Sequence, residues 1–122
     1  MARILVIEDD EDFRGWLKTI LEEVGHDITE AENGLDVTDM HTATPFDLII
    51  TDIIMPEKEG LETIKDLKRE DPNVPIIAIS TGGRFKSDAN LRIAGQLGAD
   101  HTIRKPIDPE QLLKIVDTCL TA

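Results

Sequence analysis

Short apolar runs that stop abruptly at charged or hydroxyl residues constrain this chain more than any other feature. Ile4-Leu5-Val6-Ile7 runs into Glu8-Asp9, Leu48-Ile49-Ile50 into Thr51-Asp52, Ile76-Ile77-Ala78-Ile79 into Ser80, and Thr102-Ile103-Arg104 into Lys105-Pro106. Continuous apolar runs of this length suit strands covered on both faces, the habit of parallel sheets. The stretches between them carry apolar residues at helical spacing instead. Phe13, Trp16, Leu17, Ile20, Leu21 and Val24 form one such stripe, Leu61, Ile64 and Leu67 a second, and Leu112, Leu113, Val116 and Leu120 a third. Trp16 is placed in the core by its position on the first stripe.

Less marked segments complete the pattern. Gly25 predicts the end of the first helix, a weakly alternating strand spans 27–32, and a poorly marked helix spans 35–43. The most apolar strand is expected from Phe46 to Thr51, a loop over 53–60, a helix over about 86–96, and a short strand over 100–104. Pro109-Glu110 opens the last helix, where a proline in the first turn is tolerated.

Five strands alternating with five helices require right-handed crossovers and a sheet with helices on both faces. The expected fold class is α/β, a single doubly wound (βα)5 sandwich whose five-stranded parallel sheet has the flavodoxin-like order 2-1-3-4-5. At 122 residues the chain suits one domain, spanning 1–122. In such a sheet the carboxyl ends of neighbouring strands gather three carboxylates, a hydroxyl and an ammonium along the edge where open α/β sheets bind ligands.

Composition narrows the function classes. A net charge of −12 opposes direct binding to a nucleic acid backbone. The charge is uneven: residues 1–40 hold three basic and twelve acidic side chains, residues 81–105 five basic and two acidic. No apolar run nears membrane-spanning length, and the N-terminus lacks the pattern of a signal peptide, so a cytoplasmic setting is expected. Cys119 is the sole cysteine, and His26, His41 and His101 do not cluster in sequence, so neither a disulfide nor a zinc site is expected.

Glu8, Asp9 and Asp52 would crowd three negative charges, which raises carboxylate pKa values or recruits a cation. All-oxygen donors favour Mg2+, bound by one or two carboxylates with a phosphate oxygen and completed by a loop carbonyl. Ser80 can donate a hydrogen bond to a phosphoryl oxygen, and Lys105 can offer a compact positive charge to another. Within such a pocket a carboxylate can itself be the nucleophile, and Asp52, ending the most buried strand, is the candidate.

At these residues the chain resembles a response-regulator receiver domain, the phosphoacceptor of two-component signalling, from residue 3 to about 120. The family's acidic pair corresponds to Glu8-Asp9, its phosphorylated aspartate to Asp52, and its Met-Pro and later glycine to Met55-Pro56 and Gly60; Ser80 and Lys105-Pro106 complete the set. Glu8-Asp9 is preferred over Asp9-Asp10 because the spacing to Arg14 fits the family's arginine. The resemblance implies that Asp9, Asp52 and the backbone carbonyl of Ile54 ligate Mg2+, with Mn2+ able to substitute, that Glu8 acts through water, and that the Lys105-Pro106 bond is cis. It implies a sensor histidine kinase or histidine phosphotransfer protein as donor, docking near helix one, and an output partner the sequence does not name. Such a receiver promotes its own phosphorylation without being an enzyme in the ordinary sense.

Three departures bear on signalling. Thr102 stands where receivers usually carry a switch aromatic, Ile107 replaces a frequent Phe, and the segment after Ser80 is longer than usual. Arg84 and Phe85 in that segment are therefore expected to transmit the phosphorylated state. Ile54 and Gly82, neither able to orient water with its side chain, predict slow self-dephosphorylation. The alternative is a receiver-like interaction module that acts without phosphorylation. A haloacid-dehalogenase-type phosphatase needs a second Asp where Ile54 stands, and flavodoxin needs a hydroxyl- and glycine-rich loop where the chain has Glu8-Asp9-Asp10-Glu11-Asp12.

Overall fold

The computed structural model describes residues 2–53, 60–80 and 92–121. Its elements run β1 (Arg3–Ile7), α1 (Glu11–Glu23), β2 (Asp27–Ala31), α2 (Val37–Ala43), β3 (Leu48–Asp52), α3 (Gly60–Glu70), β4 (Ile76–Ser80), helical residues 92–97 (α4), β5 (His101–Arg104) and α5 (Pro109–Thr121). The strands form one parallel sheet in the order β2-β1-β3-β4-β5, the order expected from the doubly wound pattern.

Alternate residues of the three central strands feed two separate cores, because successive side chains in a strand point to opposite faces. Ile4, Val6, Leu48, Ile50, Ile77 and Ile79 meet Leu17 and Leu21 of α1 and Leu112 and Val116 of α5. Leu5, Ile7, Ile49, Ile76 and Ala78 meet Val37 of α2, Ile64 and Leu67 of α3 and Ala94 of α4. Each fully buried leucine or isoleucine contributes about 1.5–3 kcal/mol, so this two-sided burial is what holds the sheet. Among the described residues no helix is long and apolar enough to cross a membrane.

Helix α1 starts because the Asp10 carboxylate accepts hydrogen bonds from the amides of Asp12 (3.0 Å) and Phe13 (3.2 Å), and Glu11 and Asp12 suit its positive end. It stops at Gly25, whose φ of 96° places it in the left-handed region. At the opposite end of the sheet His41 ties α2 to α3. Its Nδ1 accepts from the Phe46 amide (3.0 Å), which assigns the proton of the neutral ring to Nε2, donated to Asp71 (2.9 Å).

Two expectations are corrected. Strand β3 begins at Leu48 rather than Phe46, which caps the α2–β3 corner under Arg3 (4.9 Å from guanidinium carbon to ring centroid) and against His41. Trp16 lies outside the core, 37% exposed and stacked on Phe13, because the inner face of α1 is already filled by Leu17 and Leu21. Val24, the last residue of the expected stripe, is likewise exposed.

Candidate functional site

The sheet register brings the chain's polar strand ends together. Asp52, the last residue of β3, pairs with Ile79, so Ser80 follows one position later on the adjacent strand. Ser80 in turn pairs with Arg104, and the Lys105 amide donates to the Ser80 carbonyl (2.8 Å). On the other side of β3, β1 delivers Glu8, whose amide donates to the Ala31 carbonyl of β2 (2.9 Å). Glu8, Asp52 and Ser80 are buried at 2%, 5% and 1% exposure, whereas Asp9 faces solvent.

Lys105 crosses this floor. Its Nζ donates to Glu8 Oε1 at 2.9 Å and reaches Asp52 Oδ2 at 3.5 Å. Glu8 Oε2 accepts from the Asp10 amide (3.2 Å), while Arg14 donates to the Glu8 carbonyl (2.7 Å) and pairs with Glu30 of β2 (3.2 Å). Asp10 is thus occupied as a helix cap, which leaves buried Glu8 and exposed Asp9 as the pair beside Asp52. Ligand atoms of Glu8, Asp9 and Asp52 all lie within 4.8 Å of one another.

Three carboxylates against one ammonium leave excess negative charge in a poorly hydrated place. Burial pushes the Glu8 carboxyl up to about 7; the Lys105 hydrogen bond opposes this, and the neighbouring Asp52 charge adds to it. Burial draws Lys105 downward, but its hydrogen bond to Glu8 and the charges of Asp52 and Glu8 outweigh that and hold it above the usual lysine range.

The donor set fits a hard divalent cation. A hexacoordinate Mg2+ bonding at about 2.1 Å spans opposite oxygens about 4.2 Å apart, close to the reach of this cluster. The same oxygens, with no sulfur or nitrogen ligand among the described neighbours, offer nothing that would favour zinc.

The other sequence-selected residues are placed less centrally or not described. Thr102 sits exposed on β5, an edge strand, paired with Ala78. Ile107 is buried, and the Lys105-Pro106 bond is cis, as the resemblance implies. Ile54, Met55, Pro56, Gly82, Arg84 and Phe85 lie outside the described residues. Gly60 opens α3 with its amide donating to the Ile53 carbonyl (2.7 Å), and a Cβ there would overlap the Asp52 carbonyl oxygen and lie 2.6 Å from Ile53 Cα. Sequence reasoning missed Phe13, read only as part of a stripe. Its ring lies against Lys105, a contact that no local spacing encodes.

Comparison with known proteins agrees with this geometry. A family model described as the response regulator receiver domain matches residues 4–117. The chemotaxis protein CheY of Halobacterium salinarum is 32% identical over 120 residues, covering 98% of each chain. A CpxR homolog of Haemophilus influenzae, called a transcriptional regulatory protein, is 29% identical over 120 residues, and the chain spans about half of it (51%). The crystal structure of the receiver domain of NtrX from Brucella abortus superimposes with a TM-score of 0.90 at 25% identity, covering 98% of both chains. With the family model covering most of its length and an end-to-end relative above 30% identity, this chain belongs to the response regulator receiver domain family.

Proposed function

We propose that the 122 residues act as one receiver unit that takes a phosphoryl group onto Asp52 in a Mg2+-dependent reaction. The observation that carries this reading is the convergence of Glu8, Asp9 and Asp52 with the Lys105 ammonium, which reaches Glu8 at 2.9 Å and Asp52 at 3.5 Å. A carboxylate oxygen of Asp52 attacks phosphorus while the phosphorus–nitrogen bond of a phosphohistidine donor breaks. The electron pair leaves with the imidazole, which keeps or regains its proton. Lys105 and Ser80 hold the phosphoryl oxygens, and their fixed positions at strand ends limit reorganisation as charge develops.

Glu8, Asp9, Asp52 and the Ile54 carbonyl are the residues that would hold Mg2+ or Mn2+. The ion supplies positive charge to the transferred oxygens when bound. The donor in this reading is a sensor histidine kinase or histidine phosphotransfer protein in the cytoplasm, docking beside α1. The output in this reading is altered binding to a partner protein, with Thr102, Arg84 and Phe85 as the switch and output residues. Because Ile54 and Gly82 cannot orient water with their side chains, the acyl phosphate is lost slowly.

Intact mass after incubation with acetyl phosphate and Mg2+ tests the assignment. One added phosphoryl group in the wild type and none in Asp52→Asn is the expected result. A wild type that gains no phosphoryl group from acetyl phosphate or from a cognate phosphohistidine donor refutes it and leaves a module acting without phosphorylation.

A further inference from the structure

Phe13 packs against the core under α1 and α5, and its ring also reaches the edge of the acidic site. Its ring is partly buried, and Lys105 Nζ lies 4.1 Å from the ring centroid. Trp16, one turn further along α1, stacks on the outer face of the pair, with centroids 5.6 Å apart and planes inclined by 23°. Phe13, Trp16, Pro106 and Ile107 together line an apolar recess of about 290 Å³ along which the lysine lies. An exposed tryptophan gains little from the core, but here it backs the ring that faces the ammonium.

We infer that Phe13, buttressed by Trp16, is a positioning residue that seats the Lys105 ammonium for phosphoryl transfer. The inference rests on the role given to Lys105 above. Lysine carries its charge on four rotatable carbons, and only geometry around it decides where the charge sits. Two of its N–H directions are taken by Glu8 and Asp52, and an aromatic face within about 6 Å attracts the cation from the remaining side while keeping water off it.

The ring does something a third carboxylate would not. Its attraction is weakly directional, so the ammonium can slide from the Glu8 and Asp52 oxygens toward phosphoryl oxygens without leaving its seat. A leucine in the same place fills similar volume but offers no negative π face.

Phe13→Leu and Phe13→Tyr separate packing from seating. At saturating Mg2+ and acetyl phosphate, Phe13→Leu should take up phosphoryl groups about two- to tenfold more slowly than wild type, the span of a partly desolvated cation–π contact. Phe13→Tyr should stay close to wild type, and the Mg2+ Kd of both should be unchanged. The Lys105 ε-protons should show an upfield ring-current shift by NMR in the wild type and in Phe13→Tyr, and lose it in Phe13→Leu. Equal rates in all three proteins, equal losses in both variants, or the absence of that shift in the wild type would each overturn the inference. If Phe13→Leu does not fold, Phe13→Met serves the same comparison. A wild type that shows the shift but gains no phosphoryl group overturns the phosphoacceptor reading and the kinetic role of Phe13, leaving only a structural contact.

Discussion

Replacing Gly60 by alanine should damage the protein through a backbone clash that Gly15, Gly95 and Gly98 do not share. A Cβ at residue 60 would overlap the Asp52 carbonyl oxygen and lie 2.6 Å from Ile53 Cα and 2.8 Å from the Asp52 carbonyl carbon. All three are backbone atoms, which cannot rotate away as a side chain does. Overpacking of this kind costs about 1–3 kcal/mol, occasionally more, against at most about 1 kcal/mol recovered from alanine's helix propensity. For a chain of 122 residues each kcal/mol lowers Tm by about 4 °C, so the net cost of up to about 2 kcal/mol predicts a fall of up to about 8 °C. Gly15→Ala, where nothing lies within 4 Å of the added carbon inside α1, should instead raise Tm by a few degrees. Because the displaced atoms belong to Asp52 and Ile53, phosphoryl uptake by Gly60→Ala should also fall relative to Gly15→Ala, measured by intact mass against time. Scanning calorimetry of the two variants with Mg2+ decides the matter: if both melt above wild type, the close approach at Gly60 is not a constraint and the reasoning fails.

Glu8, raised to about 7 in the fold from an ordinary 4.5, binds more protons folded than unfolded between those values, so metal-free protein should lose stability as pH rises from about 4.5 to 7 and then level off. At about 1.4 kcal/mol per unit the contribution is up to about 3 kcal/mol; Glu8→Gln in chelator should flatten that slope in urea titrations, and an unchanged slope would show that another group carries it. His41→Ala, which removes acceptor and donor from the Phe46 amide and Asp71 at 3.0 and 2.9 Å, should lower stability by about 2–4 kcal/mol. Urea denaturation reads this as a lower midpoint with unchanged slope, and a loss below about 0.5 kcal/mol would remove the tether from the account.

Much of the fold is legible because its signals are local. Three apolar runs ending in polar residues have the length and composition of strands buried on both faces, and the helical stripes between them force parallel crossovers. The observed order β2-β1-β3-β4-β5 matches the common doubly wound order expected for such a pattern. The helix stop at Gly25 was legible for the same reason, since a left-handed residue there needs no distant partner. Phe46 was misassigned because its apolar character suits a strand equally well, and only the neighbouring Arg3 and His41 place it at a corner. Trp16 was misassigned because a stripe's period says which residues share a face and not how wide the buried part is.

Sequence alone determined the parallel α/β architecture and which polar residues gather at its carboxyl edge, because strand and helix periods are properties of neighbouring residues and strand ends inherit their place from them. Tertiary structure decided how those residues divide their work. Whether Glu8 or Asp10 faces the centre depends on Asp10 capping α1 and on Lys105, 97 residues away in the chain, reaching Glu8. The same lysine turns Phe13 from a member of a stripe into a partner of the site, and the backbone of Asp52 makes a side chain at residue 60 untenable. Contacts between residues so distant in sequence exist only once the sheet has brought its ends together, and they carry no period by which they could be read beforehand.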